Sequence, residues 1–191
     1  MIGTASMHCT AFNTYHFIMA HLFVESLHTT ISIKKGGFFI KSGERNEKIG
    51  YILAGVIRGY VLDEDGNEIT THFYQEEDIL SGNFIPNVPS TMNLQALEDC
   101  RVSMANYSVI MSHVNKNQEI TEIINRAFHK LNHRLQSRII SLSNLDSTEK
   151  YSRFLEEYPN LINRIPHYLV ANFLGITPTQ LSRARKRYSE Q

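Results

Sequence analysis

The chain has 191 residues, with 19 Lys and Arg against 19 Asp and Glu, so its formal net charge is zero. That length allows one large domain or two small ones, each with its own core. The 42% apolar content is ordinary for a globular protein, and no run approaches the roughly 18 consecutive apolar residues of a membrane span. The N-terminus lacks the basic segment, apolar core and cleavage site of a secretory signal. Two cysteines, Cys9 and Cys100, make no disulfide framework, so the expected setting is reducing and cytoplasmic.

The zero net charge hides an asymmetry. Residues 1–125 carry 8 basic against 14 acidic side chains, and residues 126–191 carry 11 against 5. A basic C-terminal part is where nucleic acid would bind, although charge alone fits solvated helix faces equally well.

In chain order, three blocks are expected. Residues up to about 32 read as helix, because Tyr15, Ile18, Met19, Leu22, Phe23 and Leu27 recur at helical spacing. Residues 33–107 read as short strands punctuated by glycine. Phe38-Phe39-Ile40, Tyr51-Ile52-Leu53 and residues 56–62 are extended runs. Asp63-Glu64-Asp65-Gly66-Asn67-Glu68 is a hairpin connection, and residues 69–74 form the return strand. Residues 92–97 and 101–105 are also extended, and Pro86 and Pro89 mark a loop between strands. Such spacing suggests a sandwich or barrel-like roll.

Residues from 108 onward read as all-helical. Ile120, Ile123, Ile124, Ala127, Phe128, Leu131, Leu135, Ile139 and Leu142 make a stripe about three heptads long, suited to a dimer seam. The plainer alternative is a helix packed on its own domain. Asp146 with Glu149 forms a capping box for the next helix, which stops before Pro159. Another helix starts near Pro166 and ends at Gly175, and Thr177 caps a last one with Pro178 at its first position.

Those last two helices with a short glycine turn have the pattern of a helix-turn-helix. Ala171 is small enough for a close crossing, and Ile176 and Leu181 are expected to pack inward. Thr179, Gln180, Ser182, Arg183 and Lys186 are left outside. Arg183 can donate two hydrogen bonds to a guanine edge, and Gln180 can pair with adenine. Arg185, Lys186 and Arg187 suit phosphates, as do the Thr177 hydroxyl and the helix N-terminus. An ordinary helical hairpin with a basic end is the competing reading.

The C-terminal motif, Ile165-Pro166 followed by Phe173-Leu174-Gly175-Ile176-Thr177-Pro178-Thr179-Gln180-Leu181-Ser182-Arg183-Ala184-Arg185-Lys186, resembles the Crp/Fnr family of transcription regulators, especially its short Bacteroidetes-type members. Ile33-Lys34-Lys35-Gly36, Ser42-Gly43-Glu44, Tyr51-Ile52-Leu53-Ala54-Gly55, Asp65-Gly66-Asn67-Glu68 and Leu94-Gln95-Ala96-Leu97-Glu98 resemble that family's β-roll. The resemblance spans about residues 33–188. It implies an α+β chain. A jelly-roll-like β-roll (a double-stranded β-helix, cyclic-nucleotide-binding-like) with an N-terminal helix fills 1–107. A central dimerisation helix fills 108–143, and a winged helix-turn-helix fills 144–191. It implies a homodimer on palindromic double-stranded DNA, with Ile120, Ile124, Ala127, Leu131 and Leu135 at the dimer helix. Thr177, Thr179, Gln180, Ser182, Arg183, Arg185 and Lys186 would meet DNA, with Thr179 and Arg183 as the leading base contacts. RNA polymerase and an unidentified small-molecule effector are further candidate partners.

The sequence departs from the cyclic-nucleotide-binding pattern. Where such members carry Gly-Glu and then Arg-Ser or Arg-Thr, this chain has Gly82-Asn83-Phe84 and then Ser90-Thr91-Met92. A buried phosphate would lack its cation, so cyclic AMP is not expected to bind tightly. Asn83, Phe84, Ser90 and Thr91 mark the effector pocket. The four-cysteine cluster of oxygen-sensing members cannot be built from two cysteines. No cofactor, metal site or enzymatic role is expected. His129 and His133, four apart, lack the glutamate of the zinc-protease motif. The alternative function is a small-molecule-binding roll whose helical tail contacts proteins. A cupin-type metalloenzyme is disfavoured by a β block with one histidine, His72.

Overall fold

The computed structural model describes residues 29–85, 87–114 and 116–190. The helix expected near the N-terminus lies outside these residues up to position 28. Residues 29–32, expected to end it, instead open the first strand. The β-branched run Thr29-Thr30-Ile31 fits a pleated sheet better than a helix, where its side chains lose χ1 freedom.

Among the described residues, eight strands form two four-stranded antiparallel sheets. The first has the order β1 (Thr29–Ile33), β8 (Cys100–Asn106), β3 (Lys48–Ala54), β6 (Ile79–Leu80). The second has the order β2 (Phe38–Ile40), β7 (Asn93–Ala96), β4 (Ile57–Leu62), β5 (Glu68–Tyr74). Between the sheets, Ile33, Ile40, Ile52, Ile57, Tyr74, Leu80, Leu94 and Val102 form the roll interior. Alternation sends the neighbouring residues outward. Ile49, Tyr51 and Ala105 leave the first sheet on its other face and meet Tyr107, Ile123 and Ile124. Phe73 leaves the second sheet toward the C-terminal helices.

The β4–β5 hairpin closes as its sequence suggests. Gly66 has φ +81°, and the Asp63 carboxylate accepts the backbone N–H groups of Asp65 and Asn67 at 3.0 and 2.8 Å. Gly55 combines φ +107° with a close approach: a Cβ there would lie 2.5 Å from the Cys100 sulfur. Cys100 itself is buried, and burial pushes its thiol up to about 11, far from the thiolate that metal binding or redox chemistry needs.

Five helices follow among the described residues: α1 (Tyr107–His113), α2 (Gln118–Asn144), α3 (Ser147–Glu157), α4 (His167–Leu174) and α5 (Pro178–Ser189). The expected helix from residue 108 is thus two. The chain breaks at Val114, and the Asn117 side chain caps the start of α2 by accepting from Glu119 and Ile120. The capping box of Asp146 and Glu149 opens α3. All strands among the described residues precede Tyr107, so no strand of a wing lies beside the last two helices. None of the described helices is long and apolar enough to cross a membrane.

Helix α2 has two environments. Its first turns bury Ile123 and Ile124, with Ile120 partly covered, against the outer face of the chain's own first sheet. Farther along, Leu135, Ile139, Ile140 and Leu142 are 40%, 64%, 49% and 44% exposed. Three residues of the expected seam stripe, Ile120, Ile123 and Ile124, therefore pack within their own domain.

Candidate nucleic-acid interface and its junction with the roll

Helix α4 ends where Gly175 enters the left-handed region at φ 64° and ψ 37°. Its N–H donates to Asn172 O and the Ile176 N–H donates to Ala171 O, at 3.2 and 3.0 Å. These bonds make a Schellman closure, which turns the chain sharply. Thr177 then starts α5, with Pro178 at its first turn. Ala171, Leu181 and Ala184 are buried where the helices cross, and Ile176 packs against the same core. The packing pattern read from the sequence is thus realised, and it fixes which face of α5 stays open.

Thr179, Ser182, Arg183 and Lys186 stand on that open face and are exposed. The three other expected contacts, Thr177, Gln180 and Arg185, are engaged. The Gln180 amide oxygen accepts the Thr177 N–H at 2.8 Å, while Thr177 Oγ1 accepts the Gln180 N–H at 3.2 Å. Gln180 and Thr177 are therefore a capping box, and Gln180 cannot pair in bidentate fashion with adenine without giving up the cap. Arg185 Nη1 lies 2.9 Å from His167 Nδ1, tying α5 to the start of α4. Burial, then the Arg185 charge, pulls the His167 value down. Lys186 has a distant carboxylate neighbour, Glu190, at 3.9 Å.

The expected effector loop is closed on itself. The Asn83 side chain donates to Pro89 O and accepts from the Ile85 N–H, at 3.2 and 3.0 Å. Ser90 Oγ donates to Met92 O and Gly82 O at 2.6 and 3.1 Å. The fully buried Asn46 amide donates to Asn83 O at 2.6 Å and accepts the Gly82 N–H at 3.3 Å. Thr91 is exposed, and residues 79–100 contain no Lys or Arg. These residues do not fit a cyclic nucleotide, because the loop's polar groups serve its own backbone and its own sequence supplies no cation. Phe84 lines a cavity between the roll and α2, where its ring packs against Phe128 at 4.7 Å.

Sequence reasoning missed a second set of residues, which joins the helical unit to the roll. Phe73 of β5 is 0% exposed, with its ring centroid 6.2, 6.2 and 5.2 Å from those of Phe154, Tyr158 and Phe173. Beside it, Asn172 serves as an extra partner for the edge strand. Its amide accepts the Thr70 N–H at 2.7 Å and donates to Glu68 O at 2.9 Å. The signal was a lone Asn within the apolar run of α4. Arg164 holds Glu76 with two bonds of 2.8 and 2.7 Å and also bonds Glu98. On α2, Arg134 bonds the buried Asp78 at 2.9 Å and lies 5.1 Å from the Tyr158 ring. Burial works against the Arg134 charge, and Asp78, Tyr158 and Glu157 together outweigh it, so its value is raised. His72, buried beside Arg138 and Arg134, is pushed down to about 4 by burial first and those charges second.

The Arg164 hydrogen bonds hold the Glu76 carboxyl down at about 2, from 4.5. A depressed carboxyl contributes stability above its unfolded value and loses it as pH falls through the folded one. Glu76→Gln is therefore expected to flatten the stability profile between about pH 4.5 and 2. Acid melts of the two proteins check this; parallel profiles over that window would contradict it. The effect is modest, because the pair is partly solvated.

The family described as "Cyclic nucleotide-binding domain" matches residues 30–117. The regulatory protein HlyX of Actinobacillus pleuropneumoniae is 25% identical over 172 residues, covering 83% of this chain and 70% of that protein. The fumarate and nitrate reduction regulatory protein of Yersinia pestis is 24% identical over 172 residues, with coverage of 83% and 68%. Among solved structures, FixK2 from Bradyrhizobium japonicum superposes with a TM-score of 0.75 at 18% identity, covering 87% of this chain and 86% of that one. A cyclic nucleotide-binding domain containing protein from Listeria monocytogenes EGD-e gives 0.70 at 11% identity, with coverage of 95% and 90%. At such identities the structural likeness establishes the fold.

Proposed function

We propose that this chain is a sequence-specific DNA-binding transcription regulator of Crp/Fnr type and not an enzyme. The observation that carries the reading is the open face of α5. Thr179, Ser182, Arg183 and Lys186 stand on it together, on a helix whose opposite face is fixed by buried Leu181 and Ala184. A helix presented in this way enters the major groove with its N-terminal residues at base edges. Thr179 and Arg183 read bases, and Lys186 and Arg187 neutralise phosphates. Gln180 acts chiefly by holding the helix start, where the backbone N–H groups and Thr177 receive a phosphate. Arg185 steadies α5 through His167.

The active form is a homodimer on a palindromic operator in the cytoplasm. Its seam is the later half of α2, with Leu135, Ile139 and Leu142 extending the contact beyond Ala127 and Leu131. RNA polymerase is the further partner such a regulator meets at a promoter. Cyclic AMP is not the effector, because Asn83 and Ser90 stand where a carboxylate and a cation are needed. An iron–sulfur cluster does not fit either: one of the two cysteines, Cys100, is buried against the carbonyls of Val56 and Glu98.

Salt dependence separates this reading from a roll whose helical tail contacts proteins. With Lys186 and Arg187 neutralising about two phosphates per head, affinity of the dimer for duplex DNA is expected to fall about a hundredfold between 50 and 200 mM salt. Fluorescence anisotropy on a labelled duplex measures it. Affinity that is flat in salt, or no DNA binding at any salt, would overturn the reading.

A further inference from the structure

Arg185 of α5 is expected at a DNA phosphate, yet in the free chain it is tied to a histidine. Its Nη1 lies 2.9 Å from His167 Nδ1 and 3.2 Å from Nε2, and His167 is the first residue of α4. A guanidinium has donors only, so the ring nitrogen that accepts from it carries a lone pair and no proton. Protonation of that nitrogen deletes the acceptor and sets two cations against each other. Arg185 is the charge that faces His167. The other elements packed on α4 are β5 and α3. Glu68 of β5 is paired with Arg58, Glu157 of α3 lies beside Arg134, and Arg164, just before α4, is held by Glu76 and Glu98. The positive end of the α4 dipole also opposes a charge on His167. His167 is exposed and Arg185 half-buried, so the tie opens without disturbing the core.

We propose that His167 is a phosphate-binding residue that engages DNA as the imidazolium and frees Arg185 for the same backbone, so that each subunit takes up a proton from solvent when it binds. The inference rests on the DNA-binding reading and adds a regulated cation to that interface. With α5 in the major groove, α4 crosses the backbone, which brings the His167–Arg185 contact to the phosphates. A phosphate supplies the negative charge that two neighbouring cations require, and each of them donates to its oxygens. In the free chain the His167 value lies below its ordinary 6.5, through burial and then the Arg185 charge. An adjacent phosphate favours the charged ring and raises the value in the complex. The complex therefore binds more protons than the free chain, and DNA affinity rises as pH falls through the window between the two values. Acidification thus arms the interface, and a neutral or alkaline medium leaves Arg185 tied.

Fluorescence anisotropy of the full chain on one labelled duplex, repeated across salt concentrations at about pH 8 and about pH 6, tests this. The dimer is expected to bind at least about tenfold tighter at the lower pH, and its plot of log affinity against log salt to steepen by about 1.8, which is about 0.9 for each added phosphate contact. His167→Gln keeps a neutral hydrogen-bonding side chain and should remove both changes. His167→Lys, charged at both pH values, should show the steep salt dependence at both. Circular dichroism checks that the helices persist in each variant. NMR of the His167 ring should show its titration moving up on addition of the duplex, and moving up without DNA in Arg185→Gln. A pH profile and salt slope shared by wild type and His167→Gln, or a His167 titration that the duplex does not raise, would overturn the proposal and leave the regulator reading intact. No DNA binding at any pH or salt would overturn the regulator reading and this inference with it.

Discussion

Phe73→Ala is expected to cost about 3–5 kcal/mol of stability, the range for removing a fully buried ring from a core. The site explains why the effect sits at the top of that range. Phe73 projects from an edge strand of the roll into a cluster of Phe154, Tyr158 and Phe173, so its loss opens a cavity between two units rather than inside one. Rings at 5–7 Å centroid separation add about 0.5–1.5 kcal/mol beyond area burial. Asn172 and Arg164 also bridge the two units, but neither fills that volume. Chemical denaturation should show a lower midpoint and, once docking is lost, separate transitions for roll and helical unit. A loss under about 1 kcal/mol with one unchanged transition would contradict docking through Phe73.

Arg183→Ala acts on recognition, not on the fold. Arg183 is exposed on the open face of α5, so stability should hold. Binding to a specific site should weaken by about 1–3 kcal/mol per half-site, and one base preference should relax. Arg183→Lys should restore part of the affinity without the preference, because a lysine cannot present the two-pronged donor of a guanidinium. A binding site sequence unchanged in Arg183→Ala would remove this residue from base reading.

What the sequence revealed follows from how local each signal was. The capping box at Asp146, the N-cap at Thr177, the left-handed Gly175 and the Asp63 hairpin are decided within a few residues, and all appear as read. The same local chemistry carried a consequence that was overlooked. Thr177 three residues before Gln180 satisfies the capping-box pattern, which competes with base contact for one side chain. The apolar stripe of α2 was visible, but a stripe does not say what covers it. The roll covers Ile123 and Ile124, while Ile139 and Ile140 stay open. Two short strands show the limits of periodicity. Residues 29–32 were assigned to a helix, and β6, two residues long, has too few positions to display any period. The roll–helix junction was not legible, since Phe73, Asn172, Arg164 and Glu76 lie up to about a hundred residues apart in the chain and meet only in the fold.

The role of Asn172 shows how such a contact hides. Within α4 it is a polar residue in an apolar helix, which reads as a weak point. In the fold its amide completes the exposed ladder of β5 and marks where the helical unit docks. Asp78 is similar: in sequence it belongs to an acidic turn that reads as solvated, and in the fold it is a buried anchor for two cations from α2.

The central claim is that α5 of a dimer reads a defined DNA sequence. The most direct test is selection from a pool of random duplex DNA with the purified full chain, followed by sequencing of the bound fraction. Enrichment of a two-fold-symmetric site with half-sites about one helical turn apart is the predicted result. Recovery of an unenriched pool would contradict the claim.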